Sequence, residues 1–229
     1  MKKAFTMFEL IFVIVIIGII TAVIMPKNNS NALQEAATQV VSHIKYTQHL
    51  AMINDKFNPS SGSEWYKKRW QIKFSNTNGS DNRWAYAIFA DENKDGNPNG
   101  PETAVNPLDA SKKLTGGYSN GTIAYNDDEA TKKLNIGHAY GIKDIDFSSG
   151  CNISNDDGKK RIFFDKLGRP YTDNPETLEN TFETSSKSLL LTESCTITIC
   201  NVSDCSSAGE KEKETIVLEA ESGYVHILN

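Results

Sequence analysis

Residues 5–25 form a nearly unbroken apolar run in which almost every side chain is Ile, Val, Leu, Phe, Met or Ala. As one helix the run would extend roughly 31 Å, matching a bilayer core of about 30 Å. The chain then turns abruptly polar, rich in Asn, Asp, Ser, Lys and Gly. A sequence divided in this way predicts a membrane anchor followed by one water-exposed domain, and 229 residues suffice for both. A cleavable secretory signal fits less well. Its apolar core is about 7–15 residues long and is followed by small residues at the cut, whereas Pro26-Lys27-Asn28-Asn29 follows here. Lys2 and Lys3 lie just before the run, and the positive-inside tendency places that end in the cytoplasm. The remainder is then exported.

A formal net charge of -5 excludes a nucleic-acid binder driven by bulk charge. The four cysteines, Cys151, Cys195, Cys200 and Cys205, all fall in the exported part. An even number in an oxidising compartment points to disulfides, and the absence of a Cys-x-x-Cys argues against zinc. If 195–200 is one extended strand its ends lie roughly 16 Å apart, too far for a bond between them. Of the two remaining connectivities, Cys151–Cys195 with Cys200–Cys205 is favoured.

Glu9 is the only charged residue in the apolar run. A carboxylate in hydrocarbon costs a few kcal/mol and requires a partner, a proton or the headgroup level. The segment Lys2-Lys3-Ala4-Phe5-Thr6-Met7-Phe8-Glu9-Leu10 resembles the leader of type IV pilins and type II secretion pseudopilins. These have a short basic leader, a small residue before the cut, a Phe opening the mature chain and a Glu at its fifth position. Counted from Phe5, Glu9 is fifth, Gly18 fourteenth and Pro26 twenty-second, where the family carries its glutamate, a loosening glycine and a kinking proline.

The resemblance implies cleavage between Ala4 and Phe5 by a prepilin peptidase and N-methylation of Phe5. It also implies that Glu9 neutralises the new amine of an adjacent subunit during filament assembly. Two positions depart from the family: Ala4 stands where Gly is preferred, and Met7-Phe8 replaces Leu-Ile. The implied partners are other pilin or pseudopilin subunits, the peptidase, an inner-membrane assembly platform and, before assembly, the membrane itself. The implied location is the bacterial inner membrane, single-pass, with the head in the periplasm.

Beyond Asn31 the helix is expected to resume. Leu33, Ala36, Ala37, Val40, Ile44, Thr47 and Ala51 recur at three- and four-residue steps, leaving His43 and His49 on the polar face with no expected role. Strands are predicted at 70–74, 84–89, 161–165, 189–191, 196–200, 215–219 and 224–228. Glu221-Ser222-Gly223 should form a tight turn with Gly223 at positive φ, and the Asn- and Gly-rich stretch 97–126 a long surface loop. The expected organisation is α+β and pilin-like: leader 1–4, transmembrane assembly helix 5–25, amphipathic helix 26–56 and a β-rich head 57–229.

The head resembles the H-type minor pseudopilins and their FimT-like relatives. The likeness lies in Phe89-Ala90-Asp91-Glu92-Asn93-Lys94-Asp95-Gly96, in the turn at Phe164 to Arg169, and in the closing hairpin around Gly223. Asp91-x-Asn93-x-Asp95-Gly96, followed by Asn97 and Glu102, also fits the twelve-position calcium-loop template. That makes calcium the candidate ligand. The alternative is a plain acidic turn, because a strand precedes the loop and Pro98 and Pro101 follow its glycine.

No His-Glu-x-x-His or phosphate loop occurs, and no catalysis is expected. Lys67-Lys68-Arg69 and Lys159-Lys160-Arg161 read as solvated strand ends, and DNA is not an expected partner. The function implied is a minor subunit of a type II secretion filament. The alternatives are a subunit, minor or major, of a type IV pilus for adhesion, motility or DNA uptake, and a membrane-anchored binding domain that never polymerises.

Overall fold

The computed structural model describes residues 7–24, 29–57, 64–119, 123–151, 160–173 and 189–228. The chain is α+β with antiparallel sheets. Helix α1, Met7–Ile24, passes through Gly18 without a break, and α2 covers Asn29–Ile53. Ala4, Phe5 and Pro26 lie outside the described residues. Among the described residues no helix is long and apolar enough to cross a membrane. The expected span 5–25 runs past both ends of α1, onto residues outside the described set.

No glycine or proline interrupts α2, so its 25 residues can extend for roughly 37 Å. The seven residues of the expected stripe are all buried, from Leu33 at 1 % exposed to Ala51 at 4 %. Thr47 is tolerated among them because its hydroxyl donates to His43 O at 2.8 Å, satisfying itself on the preceding turn.

The strands are β1 Trp70–Thr77, β2 Arg83–Ala90, β3 Val105–Asn106, β4 Asp109–Lys113, β5 Asp144–Phe147, β6 Lys160–Phe164, β7 Pro170–Thr172, β8 Cys195–Cys200, β9 Lys213–Leu218 and β10 Val225–Ile227. A short helix α3, Ile136–Tyr140, precedes β5. Among the described residues two four-stranded sheets result, ordered β2-β1-β6-β7 and β10-β9-β8-β5. Both turn an apolar face to α2, so Ile72, Phe74, Tyr86, Ile88, Ile162 and Phe164 share one core with Ile145, Ile197, Ile199, Ile216, Leu218 and Val225.

Two expectations are corrected. The stretch 97–126 is not a free surface loop. It contains the β3–β4 hairpin, and it returns its backbone to the open edge of β2: Ile88 N donates to Leu114 O, Ala104 N to Ile88 O and Gly116 N to Tyr86 O. An edge strand left bare invites pairing with other chains, and this segment closes it. Residues 189–191 contribute only an isolated bridge, Tyr171 to Leu190, not a strand of the sheet. Strands β5 and β7 lie outside the predicted set.

At the C-terminal half of α2 the Gln48 amide donates to Gly168 O at 2.8 Å and to Ser222 O at 2.9 Å. It thereby ties the β6–β7 turn to the β9–β10 turn. Gly223 has φ 64°, and a Cβ there would meet both Gln48 Nε2 and Gly168 O at 2.6 Å. The position therefore requires glycine for conformation and for space. The disulfides join Cys151 to Cys195 and Cys200 to Cys205.

Ile44 is fully buried where α2 meets the sheets, so Ile44→Ala should lower the unfolding free energy by about 2–5 kcal/mol in urea melts, whereas exposed Lys45→Ala should cost under about 1 kcal/mol. The Cys151–Cys195 bond has a sequence separation of 44 against 5 for Cys200–Cys205. Chain entropy assigns the longer loop about 4 kcal/mol and the shorter about 2 kcal/mol. Serine replacement of the first pair should therefore lower the melting temperature further than replacement of the second.

Candidate functional site

Three regions carry chemistry beyond packing. The first is α1. Its side chains from Met7 to Ile17 are exposed, Phe8 at 85 % and Phe12 at 69 %. A helix that is apolar on every side needs a lipid or protein environment. Glu9 lies in its first turn, where a carboxylate is favourably placed against the helix dipole. Ala4, Phe5 and Pro26, the other members of the expected assembly motif apart from Gly18, lie outside the described residues.

The second region is a groove of about 900 Å³ between α2 and the β3–β4 hairpin, lined in part by Gln39, His43, Leu108, Lys133 and Tyr140. A polar chain runs along α2 here. Tyr140 Oη donates to Gln39 Oε1 at 2.8 Å. Gln39 Nε2 in turn donates to Tyr86 Oη at 2.8 Å and to Lys133 O at 3.0 Å. Tyr86 Oη meets His43 Nδ1 at 2.6 Å.

Burial pushes the Tyr86 hydroxyl well above its usual range, so it keeps its proton beside the imidazole. Burial also lowers His43 from 6.5 to about 4. Helical spacing alone puts His43 on the polar face of α2 and does not mark this role. The signal for it was the tyrosine within the apolar strand β2, because a buried phenol needs a partner, together with Gln39 and His43 one turn apart on α2.

The third region is the loop that carries the expected calcium ligands Asp91, Asn93, Asp95, Asn97 and Glu102. Gly96 takes φ 71°, as the template's sharp turn requires. The acceptors, however, hold the loop's own N–H groups. Asp91 Oδ1 accepts from Asp95 N at 3.1 Å and Oδ2 from Gly96 N at 2.8 Å. Asn93 Oδ1 accepts from Asp95 N at 3.1 Å, Asp95 Oδ1 from Asn97 N at 2.8 Å, and Glu102 Oε1 from Asn93 N at 2.8 Å. Burial, then Asp91 and Asp95, push the Glu102 carboxyl above its ordinary value. Among the described residues no group of three or more His, Cys, Asp or Glu side chains is placed to hold a metal ion.

The basic triplets are engaged within the fold. Lys67 pairs with Glu64 at 2.7 Å, Lys68 with Glu92 at 3.2 Å and Lys160 with Asp146 at 3.7 Å, while Arg69 and Arg161 are buried. Lys159 lies outside the described residues. Hydrogen bonding to Lys67, then to Lys94, holds the Glu64 carboxyl down at about 2. No family model, curated protein or solved structure shows a significant match to the chain.

His43 sets a pH dependence. Its folded value lies below its unfolded one, so between about pH 6.5 and 4 the unfolded chain binds the extra proton, and stability falls as pH falls through that window. His43→Gln removes the titration. The difference in unfolding free energy between wild type and this variant should narrow by about 1–3 kcal/mol from pH 6.5 to 4 in urea melts; a constant difference would count against this account of His43.

Proposed function

We propose that the chain is a pilin-like subunit, a minor pseudopilin of an envelope filament that serves type II protein secretion. In this reading it is held in the inner membrane by its N-terminal segment, processed between Ala4 and Phe5, methylated at Phe5 and then drawn into the filament with its head outside the membrane. The observation that carries the reading is α1: an apolar helix exposed along its length from Met7 to Ile17, with Glu9 as its one charged side chain. The sequence supplies the remaining length, from Phe5 to Met25. An amphipathic α2 buried on antiparallel sheets is the head such a subunit needs. The assignment to secretion rests on the sequence likeness of the Asp91 loop, the Phe164 to Arg169 turn and the closing hairpin.

The physics of Glu9 supports assembly over simple anchoring. A carboxylate among apolar neighbours is costly alone and is compensated by an opposite charge. Cleavage before Phe5 creates such a charge on every subunit. In a filament a neighbour's terminal amine can then pair with Glu9 across the subunit contact.

Glu9→Ala should leave the head's melting temperature unchanged, yet reduce incorporation into filaments by about tenfold or more, as measured by cross-linking in cells and by recovery from sheared filaments. Mass spectrometry of the wild-type chain should find N-methylphenylalanine at Phe5. An intact Met1 terminus in peptidase-positive cells, with activity retained, would identify an anchored domain instead. Recovery as the dominant protein of sheared pili would identify a major pilin.

A further inference from the structure

Lys73 is 1 % exposed although it lies in the middle of β1. A buried ammonium is costly unless oxygens surround it, and the Asp91 loop supplies them. Nζ donates to Gly96 O at 2.6 Å, Asn97 Oδ1 at 3.0 Å and Tyr118 Oη at 3.0 Å, and it lies 4.9 Å from the centre of the Tyr118 ring. Tyr118 Oη closes the arrangement by donating to Asn97 Oδ1 at 2.6 Å. We propose that the Lys73 ammonium is the resident cation of the 91–102 loop, supplied by the sheet beneath it, and that the loop keeps its fold without calcium.

The residues fit calcium poorly for the same reason. Calcium takes six to eight oxygens converging on one point. Here the side-chain oxygen of Asn97, beside the backbone carbonyl that the template's seventh position would use, is held by Lys73 and Tyr118, and the Gly96 carbonyl next to it is held by Lys73. Both carboxylate oxygens of Asp91 and the side-chain oxygen of Asn93 accept N–H groups of the loop itself. Asp95 is occupied on both oxygens as well, by Asn97 N and by Asn93 Nδ2 at 2.9 Å. Glu102 Oε2 is buried without a hydrogen-bond partner, and this is where calcium would enter if it competed with the ammonium. A fixed charge on a strand also differs in kind from a bound ion, because it is present at unit occupancy whatever the calcium level.

Thermal melting of the full chain in detergent tests the proposal, with chelator in one arm and millimolar calcium in the other. The wild-type midpoint should be the same in both. In chelator, Lys73→Met should lower it by about 5–10 °C, and Lys68→Met, which removes a surface pair, by no more than about 2 °C. A wild-type midpoint that rises by several degrees with calcium would overturn the proposal, as would a Lys73→Met variant as stable as wild type. Should Lys73→Met not accumulate, Tyr118→Phe takes its place: the proposal expects a smaller loss that calcium does not repair, and repair by calcium would refute it.

Discussion

Burial of one stripe on α2 is the interaction on which the remaining architecture rests. Neither sheet has a complete core of its own. The first contributes Ile72, Phe74, Ile88, Ile162 and Phe164 and the second Ile197, Ile199, Ile216 and Leu218, and both sets meet the same helix face. At about 1.5–3 kcal/mol for each large aliphatic or aromatic side chain fully buried, the helix is the element that makes two small sheets into one domain. The stripe accordingly uses small residues, Ala36, Ala37 and Ala51, alongside Leu33, Val40 and Ile44, because two surfaces approach it at once.

The opposite face of the first sheet follows a different logic. Gln71, Lys73 and Arg161 point away from the helix yet are all buried, and Phe163 and Tyr171 on the same side stack at 5.1 Å. Charged and aromatic groups are covered there by chain that sequence patterning assigns to solvent. Burial of an ammonium there is costly without hydrogen-bond partners, and the Asp91 loop provides them for Lys73.

The helix was legible because its period is long and its stripe unbroken; all seven residues assigned to the core by spacing are buried. Most strands were legible for the same reason, and Gly223 from its place in a tight turn. The cover over β2 was not, because its apolar residues, Ala104, Leu114 and Tyr118, are scattered among Asn and Gly and show no period. A clue was present in β2 itself, where Ala85, Ala87 and Phe89 make the second face as apolar as the first. The acidic loop illustrates a separate limit. Its spacing matches a metal template, but the residue that meets its oxygens lies about twenty positions upstream, on a strand that no local motif includes.

The Gln48 amide, bonded to the β6–β7 turn and to the β9–β10 turn, has a mechanical consequence. Tension along α2 is delivered to both sheets together and not to one edge. The contacts along the helix are then loaded in shear, so many must yield at once, whereas a single attachment at one end would let them open in sequence like a peeled strip.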